Sequence, residues 1–191
     1  MGTTDPGAET TDLWTNAFNW GDGTPTAGTN ALVPNARSLA RLTLTGDAAN
    51  VTLLANGRVQ LEGGSLLSLT PGGTLLVNAG GELRTGTTSA ANRARVAASG
   101  AGSYGALVDG RLDVAFLTLE DLGALGLRIR AGALVPRFDG VRFVSGFPGG
   151  TYLDLSSADG TTTLPVTAAF CEFQAGPAAN VTGDSTPTLH N

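Results

Sequence analysis

Between Leu42 and Leu83, short apolar segments recur every eight or nine residues, and the pattern superposes on itself again after 24. The segments are Leu42-Thr43-Leu44, Val51-Thr52-Leu53, Val59-Gln60-Leu61, Leu66-Leu67-Ser68-Leu69, Leu75-Leu76-Val77 and Glu82-Leu83-Arg84. Gly46, Gly57, Gly63-Gly64, Gly72-Gly73 and Gly80-Gly81 fall between them. Each segment reads as a short strand: period-two alternation puts Val51 and Leu53 on one face, and the glycines supply the positive φ that sharp corners require. Nowhere do apolar residues hold a helical period, which excludes an amphipathic helix. A shift of 24 lays Leu42 on Leu66, Val51 on Leu75, Leu53 on Val77 and Val59 on Leu83. Three strands within each such shift is the repeat of a parallel β-solenoid, in which each coil presents its inward residues to the same positions of the coils above and below.

An antiparallel meander also spaces strands by eight to twelve residues. A second repeat far downstream favours the solenoid. Arg111-Leu112-Asp113-Val114-Ala115-Phe116-Leu117 matches Arg137-Phe138-Asp139-Gly140-Val141-Arg142-Phe143 after a shift of 26, and Thr167-Ala168-Ala169-Phe170-Cys171-Glu172-Phe173 follows after a further 30. Stacked in that register, Leu112, Phe138 and Ala168 form one inward ladder, Ala115, Val141 and Cys171 a second, and Leu117, Phe143 and Phe173 a third. Phe116, Arg142 and Glu172 then stack outside, with Arg142 and Glu172 as an exposed ion pair. The stretches around Pro148-Gly149-Gly150 and from Ala158 to Thr163 become loops, where solenoids commonly carry function. The expected fold is an all-β, single-stranded right-handed parallel β-helix of about six or seven coils, which consumes nearly the whole chain as one domain.

Composition narrows the function classes. Aromatic residues make up 6% and charged residues 14% of the 191, against an average charged share of about 25%. That suits many short strands and tight turns, and the aliphatics are spaced for burial rather than disorder. All 11 basic residues are arginine, against 16 acidic ones, for a net charge of −5. No basic stripe runs along the chain, so a nucleic-acid role is not expected; nor is a cofactor or membrane insertion. The one cysteine, Cys171, reads as a small buried hydrophobe, and the one histidine, His190, is penultimate. Transition-metal sites and Ser-His-Asp or Cys-His chemistry therefore lack their usual groups. Double glycines occur without the aspartates of a calcium-binding nonapeptide repeat, so they read as structural and no metal site is expected.

What remains is carboxylate and arginine chemistry. Asp113 and Asp139 fall on equivalent outward positions of successive coils once the chain is shifted by 26, so their carboxylates are expected about one strand separation, roughly 5 Å, apart. Arg111 and Arg137 stack beside them. The functional reading is a catalytic or cation-binding dyad with arginine companions; the plainer reading is a surface ladder in which arginines and aspartates pair. Paired outward aspartates resemble those of the polygalacturonases, which share the parallel β-helix scaffold, but no Asn-x-Asp or Gly-Asp-Asp motif of that family occurs here.

The opening carries a second resemblance. Trp14, Asn19-Trp20, Gly23, Pro25, Gly28 and Leu32-Val33-Pro34, followed by glycine-rich coils to about Leu83, are similar to the start of the G8 domain and of secreted bacterial β-helix proteins. The resemblance implies an extracellular or cell-surface module, adhesive or carbohydrate-associated; the histidines of some G8 proteins are missing, so no catalytic role is carried over. Physically, Trp14, Phe18 and Trp20 fit a cap over the open end of the first coil. Exposed, Trp14 and Trp20 would instead stack on sugar rings. The organisation expected is a polar leader (1–12), a cap with the first strand (13–36), the β-helix (37–183) and a linker (184–191), the whole being a fragment of a longer exported chain with flanking domains. Three functions fit: a non-catalytic surface module, spacer-like or adhesin-like, that meets polysaccharide or another surface protein; a carbohydrate-active enzyme using Asp113 and Asp139; and a subunit that assembles through its solenoid ends.

Overall fold

The computed structural model of the protein describes residues 25–33, 39–43, 45–158, 162, 170–174 and 179–183. Among these there is no helix; there are 18 short strands, most of them bounded by the glycine, asparagine and aspartate corners seen in the sequence. The first coil holds β1 (Ala31–Val33), β2 (Leu39–Leu42) and β3 (Thr45–Ala48), and the second β4 (Val51–Leu53), β5 (Arg58–Leu61) and β6 (Leu66–Leu69). The third holds β7 (Thr74–Val77), β8 (Glu82–Thr85) and β9 (Ala94–Ala98), and the fourth β10 (Tyr104–Val108), β11 (Arg111–Ala115) and β12 (Leu117–Glu120). The fifth holds β13 (Leu122–Arg130), β14 (Leu134–Asp139) and β15 (Arg142–Val144); β16 (Thr151–Ser157), β17 (Glu172–Phe173) and β18 (Ala179–Thr182) follow.

Every pairing between these strands is parallel, and up to β13 each strand that continues its sheet pairs with the strand three places on. Three sheets result. The first runs β1-β4-β7-β10-β13-β16-β18, the second β2-β5-β8-β11-β14 and the third β3-β6-β9-β12-β15-β17. All-β, all-parallel and wound through three stacked sheets, the arrangement fits a β-solenoid.

The core is a set of axial columns. Val51, Leu75, Ala106 and Leu127 form one, Val59, Leu83 and Leu112 another, and Leu67, Val96, Leu119 and Phe143 a third, all buried. Burying a leucine or phenylalanine side chain stabilises by about 1.5–3 kcal/mol relative to exposure, and here each does so against its counterpart one coil away. Towards the last coils the column turns aromatic: Phe143 stacks on Phe173 with centroids 5.0 Å apart and lies 5.4 Å from Tyr152. Two polar side chains in this core have partners. Thr85 Oγ1 accepts from the Ala115 amide at 2.8 Å, and the Tyr104 hydroxyl donates to the Val96 carbonyl at 3.3 Å, its pKa pushed up by burial.

The shift of 24 holds for Val51 on Leu75, Leu53 on Val77 and Val59 on Leu83. It fails one strand earlier: Leu42 faces Leu61, and Leu66 faces Thr45. The first coil is shorter, Ala31 facing Val51 and Leu39 facing Arg58, because two residues separate β2 from β3 and β3 from β4 where four separate β5 from β6 and β6 from β7. The downstream register is also corrected. Asp113 faces Arg137, Val114 faces Phe138 and Leu119 faces Phe143, so this step repeats the upstream shift of 24 and is not 26. Ladders pairing Leu112 with Phe138, Ala115 with Val141 and Leu117 with Phe143 do not form. Matching identical residues sets arginine on arginine and aspartate on aspartate, whereas stacked strands favour opposite charges on facing positions. The last step, of 30, is as expected: Arg142 faces Glu172 and Phe143 faces Phe173.

Phe116 does not join the outward column of Arg142. It forms the corner between the second and third sheets at φ 49°, stacked against Gly140 at the same corner of the next coil, φ 57°. A Cβ on Gly140 would come within 2.7 Å of the Phe116 ring, so the close stacking of the two corners favours glycine here, at a φ that glycine adopts without strain.

Candidate functional site

The outer face of the second sheet gathers the charged side chains. Strands β5, β8, β11 and β14 place Arg58, Glu82 and Arg111 in one axial column, and Gln60, Arg84, Asp113 and Arg137 in a parallel one. In the first column Glu82, with its side chain 13% exposed, lies 3.2 Å from Arg58 Nε and 3.3 Å from Arg111 Nε. In the second, Arg84 Nε donates to Gln60 Oε1 at 2.7 Å and Arg137 Nε to Asp113 Oδ1 at 2.8 Å. Arg111 joins the columns by donating to Asp113 Oδ2 at 2.9 Å. Gln60 in turn donates to Glu62, whose other oxygen accepts the Thr87 amide at 2.7 Å.

Arg111, Arg137 and Asp113 are thus brought together, and Asp139 is not opposite Asp113. It faces Ala115, one alternation further along the sheet, because the true register offsets the two aspartates by two positions. A dyad of equivalent carboxylates one strand apart does not exist on this face. Both oxygens of Asp113 are bonded to guanidinium groups, Oδ1 to Arg137 and Oδ2 to Arg111, so its acceptor positions are used within the ladder. Trp14 and Trp20 lie outside the described residues, as does Ala168. Among the described residues no three acidic, histidine or cysteine side chains converge as a metal site.

A second cluster sits at the corner between the second and third sheets. Arg93 lies with its guanidinium carbon 5.7 Å from the centroid of the Phe116 ring and donates to the Gly140 carbonyl and, at 3.2 Å, to Glu172 Oε1. One side chain so ties four successive coils. Glu172 also accepts from Arg142 Nε at 2.8 Å, the expected pair, and with Val144, Phe173 and Gln174 these two line a hollow of about 280 Å³. Arg95 makes a two-pronged contact to Glu120 at 2.8 and 2.9 Å, and this bond raises its pKa. Cys171 is half-buried against the core, and burial pushes its thiol pKa up, the opposite of a reactive thiolate.

Reading the sequence did not single out Glu82, Arg84, Gln60 or Arg93. A signal for the first three is present: Arg58-x-Gln60, Glu82-x-Arg84 and Arg111-x-Asp113 have the same polar-x-polar form on successive coils. Arg93 leaves no comparable trace, since its partners lie 47 and 79 residues away.

Compared with known proteins, the chain matches no protein-family model, no curated protein and no solved structure. Among the described residues no helix is long and apolar enough to cross a membrane.

Proposed function

We propose that this chain is a non-catalytic β-helix module of right-handed winding. It works outside the cell or at its surface, as a rigid spacer or adhesin-like element that meets polysaccharide along one face. The observation that carries this reading is the use made of the outward charges: on the second sheet Arg58, Glu82, Arg111, Asp113 and Arg137 are bonded to one another between coils, so they serve the stack. The handedness follows from the strong preference of crossovers between parallel strands of one sheet. Export and the glycan context rest on the G8-like opening at Trp14 and Asn19-Trp20.

The test is a reducing-end assay on neutral and acidic polysaccharides, with small-angle scattering on the same sample. A non-catalytic spacer gives no new reducing ends and the profile of a rod. Turnover that disappears in Asp113→Asn or Asp139→Asn overturns the reading in favour of a carbohydrate-active enzyme.

A further inference from the structure

The outer face of the first sheet carries a groove that the reading above leaves unused. Between Tyr104 and Ala106 on β10, and their partners Leu122 and Leu127 on β13, one residue, Gly105, faces four, Gly123 to Gly126. The surplus backbone has to leave the plane of the sheet. Gly126 turns it back at φ 61°, where a Cβ would lie 2.4 Å from the carbonyl oxygens of both Thr151 and Tyr152. The space beside this bulge is a groove of about 370 Å³, floored by Thr74, Gly105 and Leu107 and flanked by Leu125 and Arg128. That volume falls in the class of small-ligand sites.

The chemistry of the lining is specific. Leu125 is 56% exposed at the lip and Leu107 half-buried on the floor, so the surface offered is largely aliphatic. Arg128 is the one charged residue of the lining. Its Nε is buried and lies 3.1 Å from Asp154 Oδ2, close enough for an ion pair but out of line for a hydrogen bond. Asp154 is itself only 4% exposed, and its other oxygen accepts the Ser156 amide at 2.9 Å. Arg128 therefore lines the groove with its charge already balanced by a carboxylate.

An aliphatic floor beside a charge-balanced donor fork complements a ligand with an apolar face and neutral acceptor oxygens at its edge. A pyranose ring of an uncharged glycan has both, in its C–H face and its hydroxyls. A carboxylated sugar would bring a second anion towards Asp154, and a hydrocarbon would strip water from Arg128 without replacing it. We propose that this groove binds a sugar unit of a neutral polysaccharide, with Leu107 and Leu125 against the ring face and Arg128 donating to its hydroxyl oxygens. The proposal rests on the polysaccharide reading above and gives it a place and a ligand class.

The test is affinity electrophoresis of the full chain through gels cast with hydroxyethylcellulose, galactomannan or polygalacturonate. Gly105→Val is the blocking variant: a Cβ there meets only the Thr74 side chain, at 3.7 and 3.9 Å, and valine suits a strand interior, so the methyl groups fill the floor without disturbing the core. Leu125→Asp is a second block at an exposed position, and Arg128→Lys keeps the pair with Asp154 while removing the planar fork. At least one neutral polysaccharide should retard the wild type, with affinity at least tenfold lower in either blocking variant and several-fold lower in Arg128→Lys. Polygalacturonate should not retard it. Equal retardation of wild type and both blocking variants overturns the groove and leaves the polysaccharide reading standing; retardation by polygalacturonate alone overturns the neutral ligand; no retardation in any gel overturns the groove and the polysaccharide reading together.

Discussion

The outer faces of the first and second sheets are built on the same coils and use them in opposite ways. On the second sheet, the rungs from Arg58 to Arg137 alternate in sign or polarity, and Glu82 and Asp113 each sit between arginines of neighbouring coils. On the first sheet the central outward column is Leu32, Thr52, Leu76 and Leu107 before it reaches the Arg128–Asp154 pair, and the pairing there breaks at the bulge after Leu122. Charges that bond between coils hold register, because a slip sets like on like. An insertion that breaks register makes room. In such a stack a ligand needs surface that the coils do not already use on one another.

The largest test of this contrast sits in the bulge. Gly126→Val adds a branched side chain at a left-handed φ and against two backbone oxygens, and should cost roughly 3 kcal/mol or more in a urea unfolding experiment. Gly105→Val, directly across the pairing, should stay within about 1 kcal/mol of the wild type. Equal costs at the two glycines would mean that the bulge is not fixed by Gly126. The next largest effect is expected on the second sheet, where Asp113→Arg sets a further guanidinium among Arg84, Arg111 and Arg137. The expected loss is about 1–2 kcal/mol at low salt. It should shrink at about 1 M salt, where the screening length falls to about 3 Å; a loss that salt does not touch would show that the ladder acts through packing and not through charge. Glu82→Gln, which weakens two contacts without adding a like charge, should cost less than about 1 kcal/mol and show the same salt dependence.

Much of the fold was legible because period-two alternation and corner glycines are local signals. Val51, Leu53 and Val59 announce their partners one coil on, at Leu75, Val77 and Leu83, and the three-sheet stack follows from them. Register was less legible wherever a coil changes length. Identity matching aligns Arg111-x-Asp113 with Arg137-x-Asp139, since the sequence shows which residues recur but not that stacking sets acid on base. The paired-surface reading of Arg111, Asp113 and Arg137 was available from residue types alone, and it fits the contacts they make. The bulge was hidden for another reason: Leu122-Gly123-Ala124-Leu125-Gly126-Leu127 reads as one more glycine-containing strand, and only its pairing with the shorter β10 shows that part of it has no place in the sheet. Arg93 was invisible, because a side chain that reaches across coils is defined by where the corners stack.

The smallest expected effect concerns the one acidic residue at the bulge's edge whose charge is not balanced in the way the ladder's charges are. Asp121 forms the corner just before β13 at φ 61°, its amide donating to the Val144 carbonyl and its carbonyl accepting the Tyr104 amide, both at 3.1 Å. Burial first, and the neighbouring Glu120 charge second, push its carboxyl pKa up, while a bond from the Ala98 amide and the charge of Arg95 pull it down by less. A carboxyl whose folded pKa lies above its unfolded value, about 3.9 for aspartate, binds its proton more readily in the native state. Stability must then rise as pH falls through the window between the two values, and at neutral pH the ionised group is a small net cost. Asp121→Asn keeps a residue type tolerant of left-handed φ and an oxygen for Ala98, and removes the charge. It should stabilise by less than about 1 kcal/mol at pH 7, and the gain should shrink as pH falls towards 4 and disappear only below the unfolded value of about 3.9. Urea midpoints for both proteins at pH 7, 5 and 4 decide the matter: a gain that persists unchanged at pH 4, or a loss at pH 7, would show that this corner is as well balanced as the ladder.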